Sequence, residues 1–183
     1  NDIINGGAGI DSLNGGDDND TLTGGPGNDP HLGGAGDDVM VWNPGDGNDA
    51  MDGEAGTDTM LFNGSAGAEL MAAVANGQRI TFTRNLGNIV MDVATTEQFT
   101  INGLAGNDTI TIPAGLVGLA TLVIDAGAGD DIVSVTAAHV STLVGNSEID
   151  ALNFDGGGQA TSVLDGQIVV GGLVRATFNT FES

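Results

Sequence analysis

The chain has no cysteine and no lysine, and its strongly basic side chains are Arg79, Arg84 and Arg175. Without cysteine it can form neither a disulfide nor a thiolate metal site. Nucleic acids and anionic membranes require a positive protein surface, so we expect neither as a partner. The apolar runs are all shorter than the roughly eighteen residues of a membrane span, so we also expect no membrane insertion.

Negative charge and glycine are what the chain has in excess. Its 183 residues carry a formal net charge of -22 and include 32 glycines. The first sixty residues contain twelve aspartates and Glu54, but no lysine or arginine. Because stacked carboxylates repel one another, compact structure in this part of the chain should depend on bound cations.

A nine-residue unit, Gly-Gly-x-Gly-x-Asp-x-apolar-x, is repeated four times without a gap. The four copies begin at Gly6, Gly15, Gly24 and Gly33. An earlier partial copy places Asp2 and Ile4 in the aspartate and apolar positions. The aspartates are therefore spaced nine residues apart, at Asp2, Asp11, Asp20, Asp29 and Asp38.

Each part of this unit has a physical purpose. The three glycines permit a turn with positive φ and close backbone approach, and x-apolar-x forms a short strand with one inward side chain. One unit buries too little to be stable, so the copies must stack, two to a coil. Aspartate can simply cap a turn, but the fixed period argues against that alternative. One edge of the stack would carry Asp2, Asp20 and Asp38, and the other Asp11, Asp29 and Asp49.

The unit resembles the calcium-binding nonapeptide of the repeats-in-toxin (RTX, haemolysin-type) family, tightly over about the first third of the chain and loosely beyond it. The resemblance implies a right-handed parallel β-roll over residues 1–61 and several Ca²⁺ ions between successive turns. Carboxylates and turn carbonyls are the oxygen ligands that Ca²⁺ prefers. The matching candidate ligands are Asp2, Gly6, Ala8, Gly9, Asp11, Gly15, Asp17, Asp18, Asp20, Gly24, Pro26, Gly27, Asp29, Gly33, Ala35, Gly36, Asp38, Asp49 and Asp58.

Two departures interrupt the repeat. Pro30 and His31 precede Leu32, and because proline cannot donate to a strand ladder we expect this strand to be weakened or displaced. His31 indicates either a transition-metal ligand or, since no second histidine or cysteine is near, a tolerated lapse in the repeat. The spacing then stretches to eleven residues before Asp49, and we expect Trp42 to cover the end of the narrow core.

From Phe62 onward longer strands replace the nonapeptide, and we predict that residues 62–183 form a wider β-solenoid with hairpin insertions. The overall prediction is therefore an all-β chain in two segments. Asn76-Gly77 and Asp165-Gly166 each indicate a two-residue hairpin turn.

Degenerate copies of the calcium unit recur in the second segment. Residues 51–60 align with 101–110 and 124–133, which places Asp108 and Asp131 in the position of Asp58. Asp108 and Asp131 are 23 residues apart, the length of one wider coil, and both are candidate calcium ligands. A further copy at 154–163 has Thr161 in place of the aspartate, and we expect no calcium there.

A longer period relates the hairpin at Asn76-Gly77 to that at Asp165-Gly166. It also relates Glu97 to Glu182. If this period continued after Ser183, the next residues would lead into the pattern Asn-Asp-x-Ile, with which the chain begins at residues 1–4. We therefore expect either part of a longer repetitive protein or a chain that stacks end to end, because uncapped solenoid ends present unpaired strand edges.

Recognisable catalytic motifs are lacking, and we predict no enzyme activity. The sequence contains neither His-Glu-x-x-His nor Gly-x-Ser-x-Gly. Adjacent aspartates such as Asp37-Asp38 point to opposite faces of a strand, so we expect one ligand and one exposed charge rather than a glycosidase pair.

Two functions remain open. The first is a calcium-dependent structural segment of a secreted or cell-surface bacterial protein, such as an adhesin, surface-layer component or filament subunit, that self-associates. The second is the calcium-binding appendage of a secreted enzyme or toxin. Calcium is abundant outside cells, which favours an extracellular location in both cases.

Overall fold

A computed structural model describes residues 1–116 and 118–136 in full. Beyond them it describes the strands at 141–144, 151–155, 161–164, 167–170 and 173–179. The predictions for the Asp165-Gly166 turn, for Glu182 and for the chain end fall outside the described residues.

Two sheets make up the fold of the described residues, and the chain alternates between them except in two antiparallel segments. Sheet A has ten strands, in the order β1 (Ile3–Asn5), β3 (Thr21–Thr23), β5 (Val39–Trp42), β7 (Thr59–Asn63), β11 (Gln98–Asn102), β13 (Thr121–Asp125), β15 (Ser141–Val144), β19 (Leu173–Asn179), β18 (Gln167–Val170) and β17 (Thr161–Leu164). Sheet B has nine, in the order β16 (Ala151–Asp155), β14 (Ile132–Thr136), β12 (Thr109–Ile112), β8 (Leu70–Asn76), β9 (Arg79–Arg84), β10 (Ile89–Ala94), β6 (Ala50–Ala55), β4 (Pro30–Ala35) and β2 (Leu13–Asp17). The predicted all-β solenoid is confirmed.

Neighbouring strands in the first coils are parallel and lie one coil apart. Thr21 pairs with Ile3 and Val39 pairs with Thr21, so two nonapeptides make one coil of eighteen residues. The next coil has twenty residues, since Thr59 pairs with Val39. β7 spans the predicted boundary at residue 61 and pairs with β5 on one side and β11 on the other.

Inward side chains from both sheets form one continuous core. In the first coils it consists of single residues such as Leu13, Leu22, Met40 and Met51, each almost completely buried. Further along, ring centroids follow one another at 4.6, 4.5 and 5.2 Å in a row made by Trp42, Phe62, Phe82 and Phe99. Trp42 is therefore part of the core, and the prediction that it covers the end of the core is wrong.

The prediction for Pro30 and His31 also needs correction. β4 begins at Pro30 and pairs in parallel with both β2 and β6. As the first residue of the strand, Pro30 removes little from the ladder. His31 occupies the inward position between Leu13 and Met51 and is buried.

An antiparallel insertion widens sheet B in the middle of the chain. β8, β9 and β10 follow one another with antiparallel pairing, while β10 pairs in parallel with β6 and β8 with β12. The hairpin predicted at Asn76-Gly77 is confirmed, but its turn is Gly77-Gln78, because Asn76 pairs with Arg79. A short 3₁₀ turn, Leu86–Asn88, connects β9 to β10.

The later coils return to parallel pairing. Thr109 pairs with Ile132, so the predicted coil of 23 residues between Asp108 and Asp131 is confirmed. β17 and β18 on either side of the second predicted hairpin pair in antiparallel orientation. No helix in the described residues is long and apolar enough to cross a membrane.

Candidate calcium sites

Carboxylates at one edge of sheet A form a row of five members, Asp2, Asp20, Asp38, Asp58 and Glu97, immediately before successive strands of that sheet. The backbone N–H of each donates to a carboxylate oxygen of the member one coil further on. These N···O distances are 2.6 Å from Asp2 to Asp20, 2.7 Å from Asp20 to Asp38, 2.8 Å from Asp38 to Asp58 and 2.8 Å from Asp58 to Glu97. The predicted stacking of Asp2, Asp20 and Asp38 is confirmed, and the row extends beyond it.

A second row lies at the corresponding edge of sheet B. Asp11 N–H donates to Asp29 and Asp29 N–H to Asp49, both at 2.8 Å, so the predicted stacking of these three aspartates on one edge is confirmed. The row stops where β10 is inserted. Asp92 of β10 pairs with Ala50, the residue after Asp49. The row position next to Asp49 is therefore occupied by Met91, which has no carboxylate. It resumes after the insertion, at 2.8 Å from Glu69 to Asp108 and 2.7 Å from Asp108 to Asp131.

Sequence reasoning missed Glu69 and Glu97 as members of these rows. Glu69 follows Gly64 by five residues, the same spacing that separates Gly15 from Asp20, and this signal could have identified it. Glu97 has no glycine at that spacing. Its place in the row follows from the pairing of β11 with β7, which the sequence pattern does not show.

The second oxygen of these carboxylates is the chemically important feature. Within the described residues it is buried and has no hydrogen-bond partner at Asp11, Asp20, Asp29, Asp38, Asp49, Asp58, Glu69 and Asp108. A buried, unpaired carboxylate oxygen is costly unless a cation or a proton satisfies it.

Glycine at the start of each turn lets this oxygen approach the backbone. A Cβ placed on Gly15, Gly24 or Gly33 would lie 2.6 Å from Oδ2 of Asp20, Asp29 or Asp38, respectively. No side chain could occupy that space without moving the carboxylate. The first glycine of the repeat is therefore required by the site and not only by the turn.

The predicted backbone ligands lie in the turns that surround these oxygens. Gly7 N–H donates to the Gly24 carbonyl at 3.0 Å, and Gly9 N–H donates to the Pro26 carbonyl at 2.9 Å. A carbonyl oxygen has two lone pairs, so each of these can still accept a second interaction. The remaining predicted turn positions, in the same backbone stack, are Gly6, Ala8, Gly27, Ala35 and Gly36.

The side chains of Asp17 and Asp18 are exposed and lie outside both rows. Asp18 has φ +73° and occupies the position that glycine takes at Gly9 and Gly36. Only the backbone of these two residues faces the stacked turns. By contrast, the pair Asp37-Asp38 divides as predicted, with Asp37 exposed and Asp38 buried.

The residues that precede the row aspartates form a second, exposed series of hydrogen bonds. These bonds run from each coil to the coil before it, opposite to the direction of the aspartate rows. Asn19 N–H donates to Asn1 Oδ1 at 3.1 Å, and Asp37 N–H donates to Asn19 Oδ1 at 3.0 Å. Asn48 N–H donates in the same way to Asn28 at 2.9 Å. Two neighbouring residues in each of these turns, the aspartate and the residue before it, therefore align successive coils through their hydrogen bonds.

Burial disfavours the charged form of several of these carboxylates. It raises the pKa of Asp49 and of Asp58 to about 6, with neighbouring carboxylates adding to the effect. It raises the pKa of Asp108 to about 7, with Asp131 and Glu69 acting in the same direction. Burial likewise lowers the pKa of His31, whose ring nitrogens have no hydrogen-bond partner within the described residues.

These features fit Ca²⁺, which takes about six to eight oxygen ligands. The described residues contain no group of three or more His, Cys, Asp or Glu side chains placed to hold a metal. An ion in one of these turns would therefore bind one or two row carboxylates and complete its shell with turn carbonyls. Its charge would satisfy the unpaired oxygen and offset repulsion along the row.

The family model described as the RTX calcium-binding nonapeptide repeat matches this chain in four segments, residues 1–29, 45–60, 100–111 and 123–136. The first two segments cover the turns of Asp11, Asp20, Asp29 and Asp58, and the last two cover those of Asp108 and Asp131. No curated protein matches the chain.

Proposed function

We propose that this chain, which is a calcium-binding segment of RTX nonapeptide repeats, is a structural part of a secreted or cell-surface bacterial protein, where Ca²⁺ drives its folding and assembly. The observation that carries the proposal is the buried carboxylate oxygen without a hydrogen-bond partner at eight positions of the two rows in the described residues. Buried, unpaired carboxylates need cations, so folding and ion binding become one process.

Each aspartate in a row would couple two neighbouring turns. Asp20, for example, accepts from Asp2 through Oδ1 and donates its own N–H to Asp38. An ion on Oδ2 of Asp20 would therefore stabilise the coil before it and the coil after it. Binding should be cooperative along the row, and the product should be a rigid rod.

Assembly would use strand edges such as those of the first coil. β1 and β2 are the terminal strands of their sheets, and Ile3 in β1 and Ile10 before β2 are 90% and 81% exposed. An unpaired strand edge can pair with a strand of a second copy. A charge placed at this edge therefore tests whether copies of the chain stack there.

We also propose that the segment has no catalytic role. The buried carboxylates of the described residues lie mainly in the two rows, where their first oxygen is occupied by a backbone N–H. His31 points into the core beside Leu13 and Met51.

RTX repeat proteins are typically secreted by bacteria, and the proposed extracellular location agrees with the need for abundant calcium.

The experiment is a calcium titration of the purified chain followed by circular dichroism and light scattering, with chelator added at the end. We expect a reversible transition from disordered chain to β structure, accompanied by an increase in particle size. Mg²⁺ is the control ion, because it is smaller and demands octahedral geometry. The absence of any calcium-induced transition would contradict the proposal.

A matched pair of variants separates folding from assembly. Ile10→Asp places a charge on the exposed edge, whereas Val74→Asp places one on the exposed face of β8, away from that edge. We expect only Ile10→Asp to reduce the particle size while leaving the transition intact. A calcium-induced transition without any change in size would instead favour the second function, the calcium-binding appendage of a secreted enzyme or toxin.

A further inference from the structure

One turn of the solenoid, residues 64–69, has the geometry of a calcium turn. Glu69 stands in the row of sheet B, with its N–H donating to Asp108 Oδ1 at 2.8 Å. A Cβ placed on Gly64 would lie 2.5 Å from Glu69 Oε2, as a Cβ on Gly15 would lie 2.6 Å from Asp20 Oδ2. The carboxylate is thus oriented toward its first glycine, as in the aspartate turns.

This turn differs in having a cation supplied by the chain itself. Arg84 Nε donates to Glu69 Oε1 at 2.7 Å, and Nη2 donates to the same oxygen and to Ser65 Oγ at 3.0 Å. Nη1 donates to the Leu86 carbonyl at 3.1 Å. The guanidinium therefore bonds to a turn side chain, the row carboxylate and a backbone carbonyl, the same kinds of oxygen that would surround an ion.

The pair is enclosed in the protein. The side chain of Arg84 is 7% exposed and that of Glu69 is 0% exposed, and the guanidinium carbon lies 5.3 Å from the ring centre of Trp42. Ser65 Oγ completes the cluster by donating to Glu69 Oε1 at 2.7 Å. Glu69 Oε2 still has no hydrogen-bond partner within the described residues. The guanidinium charge on Oε1 nevertheless offsets the charge of the same carboxylate and repels a second cation, which disfavours Ca²⁺ at this turn.

The antiparallel insertion is what brings the arginine here. Arg84 is the last residue of β9 and faces inward, fifteen residues after its partner Glu69. Arg79 lies on the outward face of the same strand and binds Asp92 and Asp52 at the surface. Between residues 1 and 58 the chain contains no arginine or lysine, so no turn there can be neutralised in this way.

We propose that Arg84 is the resident cation of turn 64–69: it takes the place of calcium there, so the coil around β8, β9 and β10 folds without calcium. The inference rests on the proposed calcium-driven folding of the aspartate turns. It adds that calcium dependence is interrupted at this coil, which lies between the turns of residues 1–58 and those of Asp108 and Asp131, and it names the residue responsible.

The first test is hydrogen exchange followed by mass spectrometry on the full chain in chelator. We expect amides in residues 70–94 to remain protected while those in residues 1–58 exchange freely, and calcium to restore protection in residues 1–58. Equal exchange of both regions in chelator would overturn the inference. If calcium failed to bind or to protect residues 1–58, the proposed function would fail instead, a different and recognisable result.

The second test counts bound ions by calorimetric titration with Ca²⁺. In Arg84→Met the Glu69 turn loses its cation, so we expect residues 70–94 to become calcium-dependent and the chain to bind one additional ion. The double variant Glu69→Gln/Arg84→Met removes both charges and should bind the same number of ions as the wild type. Arg79→Met is the matched control on the same strand and should change neither result.

A merely structural ion pair would behave differently. Arg84→Met would then lower stability with an unchanged ion count, and calcium would not restore protection in residues 70–94. Either of these outcomes would overturn the inference, as would failure of Arg84→Met to fold at saturating calcium.

Discussion

The coils of residues 1–58 and the coil around the insertion have the same stacked backbone, but they differ in how their row carboxylates are neutralised and how their core is filled. In the first region, no lysine or arginine pairs with the stacked aspartates of the described rows, and the core receives single side chains such as Leu22 and Met40. In the second, Arg84 neutralises Glu69 inside the protein, and Phe62, Phe82 and Phe99 add a row of rings.

The difference shows where the stability of each region originates. Aromatic side chains bury a large apolar area, and paired rings contribute about 0.5–1.5 kcal/mol beyond that area. A single Leu or Met per short strand contributes roughly 1.5–3 kcal/mol, too little to hold unpaired buried carboxylates in place. On the proposed function, the first region would take its missing energy from ions in solution, whereas Arg84 would make the second independent of them.

The largest effect is expected from a change in the row itself. Asp20→Ala removes the acceptor for Asp2 N–H and the carboxylate of its own turn, so ion binding should be lost at two adjacent turns. Loss of one charged hydrogen bond costs about 1.5–3 kcal/mol, so the calcium midpoint of folding should rise about tenfold or more. Calorimetric ion counts and circular dichroism would measure both effects.

Asp17→Ala is the matched control for this variant, because Asp17 is exposed and three residues away. It should leave the ion count and the midpoint unchanged. Equal effects of the two substitutions would contradict the assignment of ligands within this region.

A smaller loss is expected from Gly15→Ala. The new Cβ would lie 2.3 Å from the Gly33 carbonyl and 2.6 Å from Asp20 Oδ2, so both the stack and the carboxylate must move. Overpacking of this kind costs about 1–3 kcal/mol, measurable as a lower Tm in saturating calcium. Gly77→Ala, at the hairpin turn of the insertion, meets no atom within 4 Å and has only the strain of φ +66°. A larger loss in Gly77→Ala would argue against the close approach at Gly15.

Acid should affect calcium-free and calcium-bound chains in opposite directions. The pKa values of Asp49 and Asp58 are raised to about 6 and that of Asp108 to about 7, above an unfolded value of about 3.9. Their contribution to stability without calcium is therefore full below about pH 4 and is lost as the pH rises through 6 to 7. In chelator, β structure should increase on acidification across that window.

With calcium present, protons compete for the same oxygens, and the calcium midpoint should rise as the pH falls below about 7. Circular dichroism titrations at several pH values would measure both trends. Asp108→Asn should remove the part of the transition nearest pH 7. Loss of residual structure on acidification in chelator would contradict the predicted sign.

The smallest effect is expected from relieving backbone strain. Leu104 has φ +71° and is 52% exposed, at the turn position where Gly7 and Gly25 also have positive φ. Leu104→Gly should raise stability by about 1 kcal/mol, because a left-handed non-glycine residue costs roughly that much. Glu54→Gly, at φ +68°, provides the same test in the first region. Calorimetric Tm values in saturating calcium would measure both, and a fall in Tm would contradict the explanation.

Much of the site can be predicted from the repeat alone. The nine-residue period determines which aspartates share an edge, because two nonapeptides close one coil and return Asp20 to the position of Asp2. It also determines which side chains face inward, since Leu22 and Met40 are one coil apart. The spacing of Asp108 and Asp131 likewise predicts their coil of 23 residues. These features are local and periodic, and so they can be read from one sequence.

The rest depends on contacts between distant parts of the chain. Glu97 joins the row through a hydrogen bond from Asp58, 39 residues earlier, and Arg84 reaches Glu69 only because β9 folds back between β8 and β10. Trp42 lies in the core because Phe62 stacks on it from the next coil. No period in the sequence encodes these partners, since each is determined by how the insertion packs. The sequence by itself determined the repeating calcium scaffold, and only the tertiary structure decided where the chain supplies its own cation.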